Sequence, residues 1–165
     1  MHIRITAGLK GIITAFVMIG IALGVYYANL SPDSFFQYLI YAVYILGILW
    51  TLIPYRKSSS FTGKFGDMFS QGFRCFIVVV LIMVTFTGVF SKMHPEFAEE
   101  SAKVYKEALL KEKQNDKTPA EIDDDVSRYK SKYTTILIYG AIFGYLIIGA
   151  GVTAAASAIL IRRNN

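Results

Sequence analysis

Cys75–Phe90 reads CFIVVVLIMVTFTGVF, a run with no charge and no polar face. A helix docked on a soluble core keeps one polar face, whereas one that is apolar all round is deeply buried or spans a bilayer. Leu39–Leu52 (LIYAVYILGILWTL) has the same character. Working outward, four charge-free stretches emerge: Gly11–Pro32, Ser34–Tyr55, Cys75–Ser91 and Tyr133–Ile161. Three exceed the roughly 20 residues needed to cross about 30 Å of hydrocarbon. The third has 17, but Phe73 and Met93 extend it, and Arg74 and Lys92 can snorkel from its ends. Only 18% of the 165 residues are charged, against about 25% in an ordinary soluble domain. That composition excludes disordered, collagen-like and strongly acidic chains.

These patterns predict an all-α integral membrane four-helix bundle, one four-span domain over 1–165. The spans are expected at about 9–30, 35–55, 73–93 and 133–161. The basic N-terminus (His2, Arg4, Lys10) resembles a signal peptide, but its apolar run is too long and no small-x-small cleavage site follows. It is therefore read as an uncleaved first span. Asn29–Asp33 supplies a turn between the first two spans. Lys and Arg near the span ends set orientation. Arg4, Lys10, Arg56, Lys57, Lys64, Arg74, Arg162 and Arg163 lie on one side; Lys92, Arg128, Lys130 and Lys132 lie on the other. Both termini are thus expected in the cytoplasm of a bacterial inner membrane, with residues 92–132 on the periplasmic side.

Residues 94–132 are expected to form an extramembrane antiparallel helical hairpin between helices three and four. Pro95 suits the first turn of a helix, and Phe97, Ser101, Val104 and Ala108 recur at 4-3-4 spacing. Asn115–Lys117 marks the turn. Thr118-Pro119-Ala120-Glu121 has the form of a capping box. Ile122, Val126, Tyr129, Tyr133 and Ile136 then carry a seam into the last span. A helix from Pro119 to Ile161 would be about 65 Å long at 1.5 Å per residue.

No ionisable Asp, Glu, Lys, Arg or His falls inside the four charge-free stretches, which disfavours pumps and ion-coupled transporters. Tyr38, Tyr41 and Tyr44 stand three apart on the second span. They suit either a hydroxyl-lined cavity for a lipid or small polar ligand, or the favoured alternative, an interfacial belt with interhelical hydrogen bonds. Gly20, Gly24 and Ala28 on the first span, and Gly140, Gly144, Gly151 and Ala155 on the last, form small-residue series suited to close helix packing. Internal packing is the favoured use, with a homodimer as the alternative. Asp123–Asp125 cannot converge on one ion, because adjacent helical positions splay about 100° apart. The lone Cys75 cannot form an internal disulfide or a CxxC site. No nucleophile elbow, phosphate loop or zinc spacing is present, so no catalytic residue, cofactor or metal is expected. The excess positive charge suits anionic lipid heads and calls for no nucleic acid.

The most distinctive segment is Phe61–Phe76 (FTGKFGDMFSQGFRCF), amphipathic at helical spacing. It is read as an interfacial helix leading into the third span, or more sharply as a partner surface built on Phe61, Phe65, Gly66, Phe69 and Gly72. Its Phe65-Gly66-x-x-Phe69-x-x-Gly72 pattern resembles the central signature of an uncharacterised multi-pass membrane family of Bacteroidota, domain of unknown function forty-one ninety-nine. The glycine-rich first span, the charged insertion and the terminal Arg162-Arg163 are similar too. Asp67 departs from the pattern, standing where family members often carry a base. The resemblance implies an inner-membrane protein and no particular activity. The expected function is a non-enzymatic assembly or interaction module, in contact with membrane lipid and with other membrane proteins or a second copy. The alternative is a small carrier or lipid-binding protein with a tyrosine-lined cavity.

Overall fold

A computed structural model describes residues 6–28, 34–111 and 118–162. These form five helices: α1 (Ala7–Tyr27), α2 (Ser34–Arg56), α3 (Phe65–Met93), α4 (Glu96–Lys111) and α5 (Pro119–Arg162). The class is all-α, and α1, α2, α3 and α5 are each long and apolar enough to cross a membrane. The turns expected at Asn29–Asp33 and Asn115–Lys117 lie outside the described residues.

Local chemistry explains the helix starts. Thr6 N-caps α1, its hydroxyl accepting from the Leu9 N–H at 3.3 Å. Gly63 takes φ +81°, a conformation that favours glycine, just before α3, and the Thr62 hydroxyl donates to the Asp67 carboxylate in its first turn. Thr118 completes its capping box. The Glu121 carboxylate accepts from the Thr118 backbone N–H at 2.7 Å, while the Thr118 hydroxyl accepts from the Glu121 N–H at 3.4 Å. Pro95 sits one position before α4 rather than inside it, and its carbonyl accepts from Ala98 and Glu99.

One boundary differs from the sequence reading. The amphipathic segment before the third span is no separate interfacial helix, because Phe65–Met93 is one unbroken helix of 29 residues. Nothing from Phe65 onward interrupts the helical ladder: no proline occurs, and Gly66 and Gly72 cost only about 1 kcal/mol each against alanine. The last helix is continuous for 44 residues from the Thr118 cap, one residue longer than the expected Pro119–Ile161.

The chain divides into two compact units, Met1–Met83 with Ile142–Asn165, and Val84–Ala141. The first has a core of Ala15, Met18, Tyr44, Ile48, Leu52, Met68, Cys75 and Val79, mixed with the buried hydroxyls of Thr14, Thr51, Thr153 and Ser157. Large apolar side chains such as Phe16, Leu46, Leu81, Phe143 and Ile147 point outward. Thr14 and Thr51 satisfy their hydroxyls on the carbonyls four residues back, Lys10 and Gly47. Four glycines mark the closest helix approaches. A Cβ at Gly11 would meet the Cys75 carbonyl; at Gly47, the Thr14 side chain; at Gly72, the Thr153 side chain; at Gly149, the Tyr44 hydroxyl and the Phe76 ring.

In the second unit, Ala102 and Ile122 are buried, and the Tyr105 and Tyr129 rings stack at 4.5 Å. Lys106 pairs with Asp123 at 2.6 Å and Lys130 with Glu99 at 2.8 Å. Ser91 and Thr134 hydroxyls meet at 2.9 Å. The contact stripe on α4 differs from the expected one. Val104 is 64% exposed and Ala108 is also exposed, whereas Ala98, Ala102, Tyr105 and Leu109 turn inward. The two stripes share 4-3-4 spacing one position apart. The Tyr105 ring face, available to stack on Tyr129, offers more contact area than Val104 and accounts for the choice.

Candidate functional site

A cavity of about 550 Å³ opens among the start of α1, the end of α2, the following loop and α3. Pro54, in the last turn of α2, forms part of its lining. Proline has no N–H, so the carbonyl four residues earlier, that of Trp50, has no intrahelical donor. Lys10 supplies one: its Nζ donates to the Trp50 carbonyl at 2.9 Å and lies 5.2 Å from the centroid of the Trp50 ring. The lysine is only 9% exposed. It sits in the first turn of α1, just after the Thr6 cap.

The lining mixes apolar and polar groups and, among the described residues, carries no acidic side chain. Besides Lys10 it includes Thr6, Thr51, Tyr55, Ser60 and Gln71. Several of these hydroxyls are already committed: Thr51 donates to the Gly47 carbonyl and Tyr55 to the Ser60 carbonyl. Thr6 accepts from Leu9 and keeps its proton. The arrangement can therefore offer several hydrogen-bond donors and one positive charge to an anionic or strongly accepting group.

Sequence reasoning counted Lys10 only as an orientation marker and missed the cavity. The signal was a proline inside the last turn of an apolar helix, which leaves one carbonyl needing an outside donor.

The predicted site residues are placed differently from one another. Tyr44 is fully buried; its hydroxyl donates to the Tyr145 carbonyl at 3.0 Å and its ring meets Tyr145 edge-on at 5.6 Å. Tyr41 also packs on Tyr145, at 6.2 Å, while Tyr38 is 70% exposed. The three-residue spacing turns Tyr38 away from the side that Tyr44 buries, so these rings do not surround a common space. The tyrosine-lined cavity is corrected accordingly. Phe61 meets Tyr55 at 5.9 Å, and Phe65 stacks on Phe69 at 5.8 Å. Phe65 and Gly66 are exposed. Gly72 is not part of that surface: it is buried against Thr153, where a side chain would collide.

The small-residue series behave otherwise than expected for internal packing. Gly20, Gly24, Gly140, Gly144 and Gly151 have no heavy atom within 4 Å of a Cβ position, and Ala28 and Ala155 are exposed. The close approaches fall instead at Gly11, Gly47, Gly72 and Gly149, which match the neighbouring helices in position as well as size.

Among the acids, Asp123 pairs with Lys106 and Asp124 with Arg128 at 2.7 Å. His94 Nδ1 lies 2.7 Å from the Glu96 carboxylate. The Lys130 ammonium holds the exposed Glu99 carboxyl below its ordinary value, chiefly by hydrogen bonding.

A family model for proteins of unknown function matches residues 5–163, nearly the whole chain. No curated protein and no solved structure matches it.

Proposed function

The chain belongs to the family described as protein of unknown function (DUF4199), and from that premise we propose a multi-pass inner-membrane protein acting as a non-enzymatic assembly or interaction module. Its four apolar helices form a bundle, and residues 94–132 form an antiparallel hairpin outside the bilayer. The outward apolar side chains around a core containing hydroxyls support the membrane reading. The four glycine approaches, which between them join α1 to α2 and α3, and α5 to α2 and α3, support the bundle. Lys106–Asp123 and Glu99–Lys130, whose partners run in opposite directions along the chain, support the hairpin.

One observation carries the module reading: the open small-residue faces of α1 and α5. Such faces allow close backbone approach where lipid itself supplies no hydrophobic drive for association. With no heavy atom of another element near those glycines among the described residues, their fitting contact is a helix of another copy or of a membrane partner. Gly144→Cys in a Cys75→Ala background, oxidised in native membranes, should give a cross-linked species. A chain that stays uncross-linked there, and that purifies alone as a monomer in mild detergent, overturns the reading. Impermeant thiol labelling at Ser59→Cys and at Lys103→Cys tests orientation, with protection of the first and modification of the second expected from the periplasmic side.

A second reading, lipid binding, is favoured by the Lys10 cavity. It moves the ligand site from the tyrosines to the base of α1.

A further inference from the structure

We infer that the Lys10 cavity binds the phosphate of an anionic membrane lipid. This deepens the lipid-binding reading and rests on the four apolar helices crossing a bilayer.

The donors left unspent make the case. Lys10 gives one N–H to the Trp50 carbonyl and keeps two. Thr6 accepts through its oxygen and keeps its hydroxyl proton, and Ser60 and Gln71 line the same space with polar side chains that make no hydrogen bond among the described residues. Among the described residues no carboxylate lines the space to compete for the ammonium. The buried lysine is held by a carbonyl and an aromatic face, both neutral, so its charge is unmatched by any anion of the lining. A phosphate provides both the missing charge and several acceptor oxygens.

The surroundings select a lipid over a free anion. Trp50, partly exposed, and Tyr55 border the cavity, and such aromatics sit at headgroup depth. Leu9, Ile12, Ile13, Phe16 and Ile53 lie exposed on the same two helices, a surface along which acyl chains can run. The volume of about 550 Å³ accommodates a headgroup, within the usual 300–1,000 Å³ of ligand sites.

The test is native mass spectrometry of the full chain in detergent, titrated with phosphatidylglycerol, phosphatidylcholine or inorganic phosphate. Phosphatidylglycerol is expected to bind about tenfold tighter than phosphatidylcholine, whose phosphate charge is neutralised by the choline ammonium of its own headgroup. Lys10→Met should abolish that preference. Because it also removes the donor to Trp50, the paired variant Ser60→Ala/Gln71→Leu, which spares Lys10, provides an independent arm and should weaken phosphatidylglycerol several-fold. Equal binding of the two lipids, or an unchanged preference in both variants, overturns the inference. Inorganic phosphate displacing phosphatidylglycerol at equal concentration also overturns it, assigning the site to a free anion. Failure of the membrane reading itself would register separately, as release of the protein from carbonate-washed membranes.

Discussion

Gly149→Ala isolates the packing of the first unit in a single methyl group. A Cβ there would stand 2.9 Å from two carbons of the Phe76 ring and closer still to the Tyr44 hydroxyl, and both side chains are buried with no room to retreat. Overpacking of this kind costs about 1–3 kcal/mol. Displacing the Tyr44 hydroxyl from the Tyr145 carbonyl adds about 0.6 kcal/mol, the average for an interhelical bond in a membrane protein. Against this, alanine gains about 1 kcal/mol of helix propensity over glycine. The expected net loss is therefore about 1–2 kcal/mol by the same rules. Gly151→Ala, two residues on, meets no atom within 4 Å and should keep the propensity gain. For a chain of this length the two variants should differ by roughly 5–10 °C in thermal midpoint, at about 2–4 °C per kcal/mol. Trp50 fluorescence during heating in a mild detergent reads this directly. Adding Tyr44→Phe to Gly149→Ala should recover part of the loss, since the ring contact with Phe76 remains. If Gly149→Ala melts together with Gly151→Ala, the placement of α5 against Tyr44 and Phe76 is wrong.

Four further outcomes follow from individual contacts. Thr153 has a buried hydroxyl with no hydrogen-bond partner, so Thr153→Val should leave the thermal midpoint unchanged or raise it; a fall of several degrees would reveal a partner. Lys10→Met should destabilise by about 1.5–3 kcal/mol, the range for a hydrogen bond to a charged group, and by clearly less in a Pro54→Ala background, where the restored N–H can serve the Trp50 carbonyl; equal losses in both backgrounds would refute the proline–lysine coupling. Glu99 has a carboxyl pKa depressed by Lys130. Its pairing thus contributes above the unfolded carboxyl pKa and is lost as pH falls through the lowered folded value, so a carbon-detected titration should give a midpoint below the ordinary glutamate range that Lys130→Met moves upward. Thr118→Ala should cost about 1 kcal/mol of local helix stability, seen as faster hydrogen exchange over Glu121–Asp125 with Lys106–Asp123 weakened in step.

Much of the helical architecture was legible because it depends on patterns within one element. The apolar runs, the Thr118 capping box and the inward positions Ile122, Val126 and Tyr129 are local or periodic properties of the chain. What stayed hidden depends on which face of one helix meets another. Gly20 and Gly24 have the same small-xxx-small spacing as Gly11–Ala15, Gly47–Thr51 and Gly149–Thr153, yet only the latter pairs are buried. Spacing is blind to direction around the helix, so it cannot rank them. The polar partner at the second position is the feature that separates two of the three buried pairs. On α4 the period was right and its phase was off by one, because Tyr105 stacks where Val104 was expected to pack. The Lys10 cavity joins residues 40 apart through a missing N–H, and absences of that kind leave no hydropathy signal.

The contrast between the four close-contact glycines and the outward apolar side chains implies an uneven tolerance of change over time. Phe16, Leu46, Leu81, Phe143 and Ile147 touch little within the chain and can drift freely among leucine, isoleucine, valine and phenylalanine. Gly11, Gly47, Gly72 and Gly149 have no such freedom, since even one added carbon collides with a neighbouring helix. Descendants of this chain could therefore lose almost all recognisable identity over their apolar stretches while keeping four glycines in register, and a distant relative would be better recognised by those four positions than by overall similarity.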